Sequence, residues 1–184
     1  MGGAVGGLGL LTFVVAGCER KLTPAQARIE QVPFRTLSPA EAQVLDALGE
    51  ILLPGSAEAG IANYVDLQLS GPPHDSMLIL KYLGVAPPLT EFYRTGLAGI
   101  ESAAHTAYGK SLVELDAQQG AALVSSLPSG GTVTGWSGPP AGLFYFTLRS
   151  DAIDTVYGTQ QGFEALKVPY MAHIVPPSRW GEPT

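Results

Sequence analysis

The segment "LSPAEAQVLDALGEILLPG", residues 37–55, carries the clearest helix signal in the chain. Ser38 and Glu41 have the spacing of a capping box, and Pro39 stands in the first turn, where a proline costs no hydrogen bond. Apolar residues then recur at helical spacing until a Pro-Gly pair ends the run: Val44, Leu45, Leu48, Ile51 and Leu52. The segment therefore predicts a helix with one buried face.

Working outward from this segment, five further stretches predict helices: 57–69, a short element at 75–83, 89–108, 116–127 and 140–157. No stretch shows convincing strand alternation. We therefore predict an all-α fold, a compact irregular bundle of five or six helices. An extended C-terminal tail rich in proline and aromatic residues follows it.

The bulk composition narrows the functional classes. A chain of 184 residues fits one domain. Its net charge of −6 and the lack of a basic patch argue against a nucleic-acid partner. One cysteine excludes an internal disulfide, and three scattered histidines predict no structural zinc site.

The N-terminal 18 residues have the length and apolar character of a secretory signal segment. They end in Val15-Ala16-Gly17-Cys18, which resembles a bacterial lipobox and predicts lipidation of Cys18. The alternative is an unmodified cysteine in a signal that is discarded whole. Because no Lys or Arg opens the segment, we expect the true start to lie upstream, and the Gly-rich core resembles a twin-arginine signal. Residues 19–36 read as a linker, and 37–184 as one helical domain.

The chain shows no pattern that assembles an active site. It has no dinucleotide or P-loop glycine motif, no zinc-protease motif and no nucleophile elbow. Asp151 and Asp154, at i and i+3 of the last long helix, could serve acid–base chemistry or hold a cation, but solvated helix charges are commoner. His74, His105 and His173 lie far apart in sequence, so we predict no catalytic, cofactor-binding or metal-binding residues.

Three segments, 37–69, 92–119 and 144–180, resemble the small third subunit of gluconate 2-dehydrogenase. The resemblance spans residues 36–180. It rests on short motifs that stand in this sequence as Leu53-Pro54, Ala59-Gly60 leading to Asp66 and Leu69, Tyr108-Gly109-Lys110 with Leu115, and Phe144 with Tyr157-Gly158. One feature departs from many members, which have Gly-Gly-Asn after the last Tyr-Gly, whereas this chain continues as Thr159-Gln160-Gln161-Gly162.

The resemblance implies a non-catalytic accessory subunit that binds no cofactor itself. In this family the partner is a large FAD-dependent subunit of the glucose-methanol-choline oxidoreductase type, which oxidises sugars, sugar acids or glycosides. A cytochrome c subunit with haem c commonly takes the electrons onward. The small subunit carries the export signal, often a twin-arginine one, so the resemblance also implies a bacterial periplasmic, membrane-associated complex.

For the partner interface we expect the last helix and the tail to supply exposed aromatic residues, because these are enriched at protein interfaces. The candidates are Trp136, Phe144, Tyr157, Phe163, Tyr170, His173 and Trp180. Two other hypotheses stay open at this point. One is an independent periplasmic lipoprotein that binds a small ligand or another protein, and the other is an enzyme in its own right.

Overall fold

A computed structural model describes residues 10–15, 17–129 and 132–168 of the chain. In these ranges seven α-helices pack with one antiparallel hairpin. The elements are β1 Leu11–Val15, β2 Cys18–Leu22, α1 Pro24–Ile29, α2 Pro39–Leu52, α3 Ile61–Ser70, α4 Leu89–Tyr108, α5 Ala117–Ser126, α6 Ala141–Tyr157 and α7 Gln160–Ala165. Short 3₁₀ turns cover Ile79–Tyr82, Leu112–Glu114 and Leu127–Ser129. The mostly helical prediction is confirmed.

The expectation that the chain contains no strand is wrong, because β1 and β2 pair with each other from Leu11↔Leu22 to Val15↔Cys18. Phe13 and Leu22 point inward and form a small apolar cluster with Ala27 and Val32. The sequence pattern does not indicate this strand, because apolar residues occupy both faces of β1. The alternation of apolar and polar residues that marks a half-buried strand is therefore weak.

The segment 19–36, predicted as a linker, contains β2 and α1. Helix α1 begins with the same signal as α2: Thr23 accepts from the Gln26 N–H while the Gln26 side chain accepts from the Thr23 N–H. Helix α1 packs against α3. At the crossing, a side chain on Gly60 would reach within 2.4 Å of the Pro24 carbonyl oxygen.

The main core lies between α2, α3, α4 and α6. The capping box predicted at Ser38 and Glu41 is present. The largest fully buried side chains include Tyr64, Tyr93, Phe144, Leu45, Leu48, Ile61 and Ile100. Two predicted helices are shorter than expected: 57–69 becomes α3, and 75–83 reduces to the 3₁₀ turn Ile79–Tyr82.

The start of the predicted irregular tail is helical, since α7 lies within it. Residues 169–184 lie outside the described residues. Within the described part of the chain, no helix combines the length and the apolar character that crossing a bilayer requires.

Helices α4 and α6 approach closely because Gly96 has no side chain. A Cβ at Gly96 would lie 2.1 Å from the Phe144 ring, and Phe144 is fully buried. The ring packs against Phe92 and Trp136, with centroid distances of 6.0 and 5.6 Å. The aromatic cluster therefore fills the space that the missing side chain leaves.

We expect Gly96→Ala to lower the free energy of unfolding by about 2–3 kcal/mol, because the new methyl group overlaps a ring that is held on both sides. Urea unfolding of the full chain measures the change. Gly142→Ala is the matched control, since the nearest atom to its added Cβ lies 3.7 Å away. It is expected to be neutral or to stabilise by up to about 1 kcal/mol. Equal effects of the two substitutions would contradict the packing argument.

Candidate functional site

The outer surface of α6 is the most prominent apolar surface on a long helix of the fold. Most amphipathic surface helices have one polar face, but α6 carries large apolar residues on several sides. Phe144 and Leu148 point into the core, whereas Phe146 is 45% and Ile153 is 37% exposed. The exposed residues of α6 are Phe146, Arg149 and Ile153, so two large apolar side chains and one charged one lie on its outer side.

Helix α7 follows α6 in the chain and packs against it. Just after α7, Leu166 and Val168 are about half exposed, at 51% and 48%. We call Phe146, Ile153, Leu166 and Val168 the α6–α7 surface. Apolar side chains of this size on neighbouring elements are typical of a protein-binding surface.

Behind this surface, α6 buries a polar group. Asp151 is completely buried, and its Oδ2 accepts a hydrogen bond of 2.7 Å from the Tyr93 hydroxyl of α4. Its Oδ1 has no hydrogen-bond partner among the described residues. Burial raises the pKa of Asp151 to about 8, an effect that the Tyr93 hydrogen bond opposes and the Asp154 charge reinforces.

The neighbours of Asp151 are perturbed in the same direction. Burial raises the pKa of Tyr93 and of Tyr64, and the Asp151 charge adds to both shifts. Burial also raises the pKa of Asp154. Perturbed groups mark active sites when a substrate can reach them, but Asp151 has no solvent exposure. Asp151 therefore lies out of solvent between α4 and α6, and with a pKa of about 8 it holds its proton at neutral pH.

The histidines are dispersed. His74 lies at the surface beside Asp75, with 3.6 Å between its Nε2 and the carboxylate, and His105 lies on the exposed side of α4, 3.9 Å from Glu101. His173 lies outside the described residues. Within the described ranges, no three His, Cys, Asp or Glu side chains converge on a common point that could hold a metal ion.

The predicted interface residues separate into three groups. Phe144 is fully buried in the main core, so its prediction as an exposed contact residue is wrong; the close approach at Gly96 draws it inward. Trp136 is half-buried, and its indole N–H donates to the Pro139 carbonyl over 2.8 Å. Tyr157 and Phe163 are also half-buried. Tyr170, His173 and Trp180 lie outside the described residues.

Cys18 is the first residue of β2, and it is exposed with a free thiol. It faces Val15 across the end of the hairpin, next to Gly17, whose φ of +83° suits a tight turn. The thiol is therefore accessible to modification in this fold.

Sequence reasoning missed Phe146 and Ile153 as surface residues. In α6 the apolar residues are so dense that their spacing does not separate an inner from an outer face. Only the packing of α4 against one side of the helix shows which residues remain outside.

We expect the free energy of unfolding to fall as the pH rises from about 4 to about 8, because the folded chain holds a proton on Asp151 that the unfolded chain has lost. The stabilisation is fully present below the ordinary pKa of 3.8 and is lost as the pH passes through 8. The slope is on the order of 1 kcal/mol per pH unit. Urea unfolding at a series of pH values measures it.

Asp151→Asn should flatten this profile, because the amide stays neutral and still accepts from Tyr93. The matched control is Glu58→Gln on the surface, which should leave the slope unchanged. A wild-type slope that survives in Asp151→Asn would show that the buried carboxyl is not its source.

Comparison with known proteins gives one positive finding. A family model described as gluconate 2-dehydrogenase subunit 3 matches residues 39–173, which is more than half of the chain. Searches of the curated proteins and of the solved structures found no match. The matched region runs from the start of α2 past the end of α7 and includes both α4 and α6. On this match, the chain belongs to the gluconate 2-dehydrogenase subunit 3 family.

Proposed function

We propose that this chain is the non-catalytic small subunit of a membrane-associated, FAD-dependent dehydrogenase that acts on sugars, sugar acids or glycosides. The flavin belongs to a large subunit of the glucose-methanol-choline oxidoreductase type, and a cytochrome c subunit with haem c takes the electrons onward. The family membership supports the role of a subunit in a dehydrogenase complex.

The α6–α7 surface is the observation that carries the proposal. It presents four large apolar side chains that the isolated chain leaves in water. Covering it with the large subunit removes this apolar area from water at roughly 25 cal/mol per Å². A permanent complex of this kind buries more than about 2,000 Å² in total, so the contact extends beyond these four residues.

The chemistry of the core fits an accessory role. The group with the most perturbed carboxyl pKa, Asp151, is closed off from solvent and hydrogen-bonded to Tyr93. A group without solvent exposure is not positioned to contact a substrate. A subunit that is exported together with a folded flavoprotein requires a stable fold and an apolar surface that binds its partner.

We further propose that the complex is exported to the bacterial periplasm by the twin-arginine route and is anchored through lipid on Cys18. The exposed thiol at the hairpin end supports modification at this position. The diacylglyceryl and amide-linked chains of a bacterial lipoprotein together give stable membrane attachment, which one acyl chain does not. Cleavage before Cys18 would remove β1 and so uncover Leu22 and Val32, which pack against Phe13.

Phe146→Glu should abolish co-purification of the flavoprotein with this chain, because it places a charge in the apolar contact. The chain is tagged at its C-terminus, extracted from membranes in mild detergent, and scanned for flavin absorbance. Val113→Glu is the matched control, since Val113 is equally exposed, at 47%, but lies on the distant Leu112–Glu114 turn. A wild-type chain that purifies without a flavoprotein would contradict the proposed function.

Cys18→Ser should shift the chain from the membrane fraction to the soluble fraction and end the incorporation of labelled fatty acid. Mass spectrometry of the N-terminal peptide identifies the lipid. Ser has the size of Cys and occupies the same exposed site, so folding should not change. If Cys18→Ser remains in the membrane fraction, another element or the partner holds the chain there.

A further inference from the structure

An open cleft of about 450 Å³ lies where α1, the loop 31–37, α2 and α3 meet. Its walls are mostly apolar, from Val32, Pro33 and Phe34. Four polar side chains, Arg28, Gln31, Asp46 and Asn63, also line it. A concave, mainly apolar site with a few convergent polar groups is the general form of a binding site.

Asn63 is the most unusual residue of this cleft. It lies in the first turn of α3 and is only 5% exposed, yet its side-chain amide makes no hydrogen bond to any described residue. Its amide atoms are not among the solvent-excluded unpaired atoms of the described residues, so water in the cleft reaches them. Asn63 also borders an enclosed cavity of about 10 Å³ on its other side, room for one water molecule. One water satisfies only part of an amide that has two donor and two acceptor positions.

The loop beside Asn63 also offers free main-chain groups. The Phe34 N–H and the Pro33 and Phe34 carbonyl groups pair with nothing in the described part of the chain. The loop is nevertheless held in place, because the buried carboxylate of Asp66 accepts from the N–H groups of residues 35–37 over 2.8–2.9 Å. These main-chain groups are therefore preorganised for a ligand with its own amides, which lowers the entropy cost of binding.

The lining of the cleft contains one basic side chain, Arg28, and one acidic side chain, Asp46. Arg28 is exposed at the last turn of α1, and Arg35 follows the loop. Neither makes an ion pair within 4 Å with a described residue, although acidic residues outnumber basic ones by 16 to 10 in the chain. The Arg28 charge acts on Asp46, but burial prevails and raises the pKa of Asp46. A free guanidinium at the rim of a cleft is suited to bind a carboxylate in bidentate fashion.

We propose that this cleft binds a short peptide segment of the large subunit. A main-chain amide of that peptide forms hydrogen bonds with Asn63 and Phe34, and an Asp or Glu side chain of the peptide pairs with Arg28. The unpaired amide of Asn63 and the unpaired main-chain groups of the loop favour a peptide over a purely apolar ligand, and Arg28 supplies the charge complementarity. The identity of the partner rests on the proposed function. The contact is separate from the α6–α7 surface and adds specificity to it.

The test measures the affinity of the purified full chain for the purified large subunit at several salt concentrations. Arg28→Glu is expected to weaken binding by about tenfold or more and to reduce its salt dependence, because it reverses a rim charge. Lys110→Glu is the matched control: Lys110 is equally exposed, just beyond α4, and its reversal should change the affinity less than about twofold. Arg28 is on the surface, so its substitution should leave the unfolding curve unchanged.

Hydrogen exchange adds a readout that does not depend on substitution. The Phe34 N–H should exchange more slowly in the complex than in the free chain, because it gains a partner. If Arg28→Glu binds like wild type, or if Phe34 exchange is unchanged in the complex, the cleft proposal is overturned while the proposed function stands. If the wild-type chain does not bind the large subunit at all, the proposed function fails and the cleft proposal falls with it.

Discussion

The contact between Gly96 of α4 and the ring of Phe144 of α6 is the constraint on which the rest of the fold depends. A Cβ at position 96 would overlap the ring at 2.1 Å, so the two helices approach this closely only with glycine there. The approach turns Phe144 into the core beside Phe92 and Trp136. It also brings the Tyr93 hydroxyl onto the Asp151 carboxyl. One missing side chain thereby sets both the aromatic packing and the buried polar pair.

Because α6 packs against α2, α3 and α4, only the side that is turned away from these helices remains at the surface. Phe146 and Ile153 are exposed for the same reason that Phe144 and Leu148 are not: a helix can turn only one side to a given neighbour. The exposed apolar residues of α6 and the burial of Asp151 thus both follow from the packing of α6 against its neighbouring helices.

Local signals predicted the fold well wherever a helix had a cap and a single apolar face. Helix α2 begins at Ser38 as its capping box indicates, and α5 follows Asp116 in the same way. The same reasoning missed α1, whose capping box at Thr23 precedes only a six-residue helix with too few apolar positions to show a period. It also missed β1, where the hydrophobic run continues through both faces of the strand.

The sequence by itself determined the helical class, the caps at Ser38 and Asp116, and the resemblance to the gluconate 2-dehydrogenase subunit 3 family. Only the tertiary structure decided which aromatic residues stay outside, since Phe144 and Phe146 differ by two positions and carry the same side chain. It likewise decided that the Asn63 side chain has no hydrogen-bond partner among the described residues. Asp66, three residues later, accepts hydrogen bonds from the N–H groups of residues 35–37. The physical reason is that burial and hydrogen-bond satisfaction depend on neighbours distant in the chain, which a local pattern does not specify.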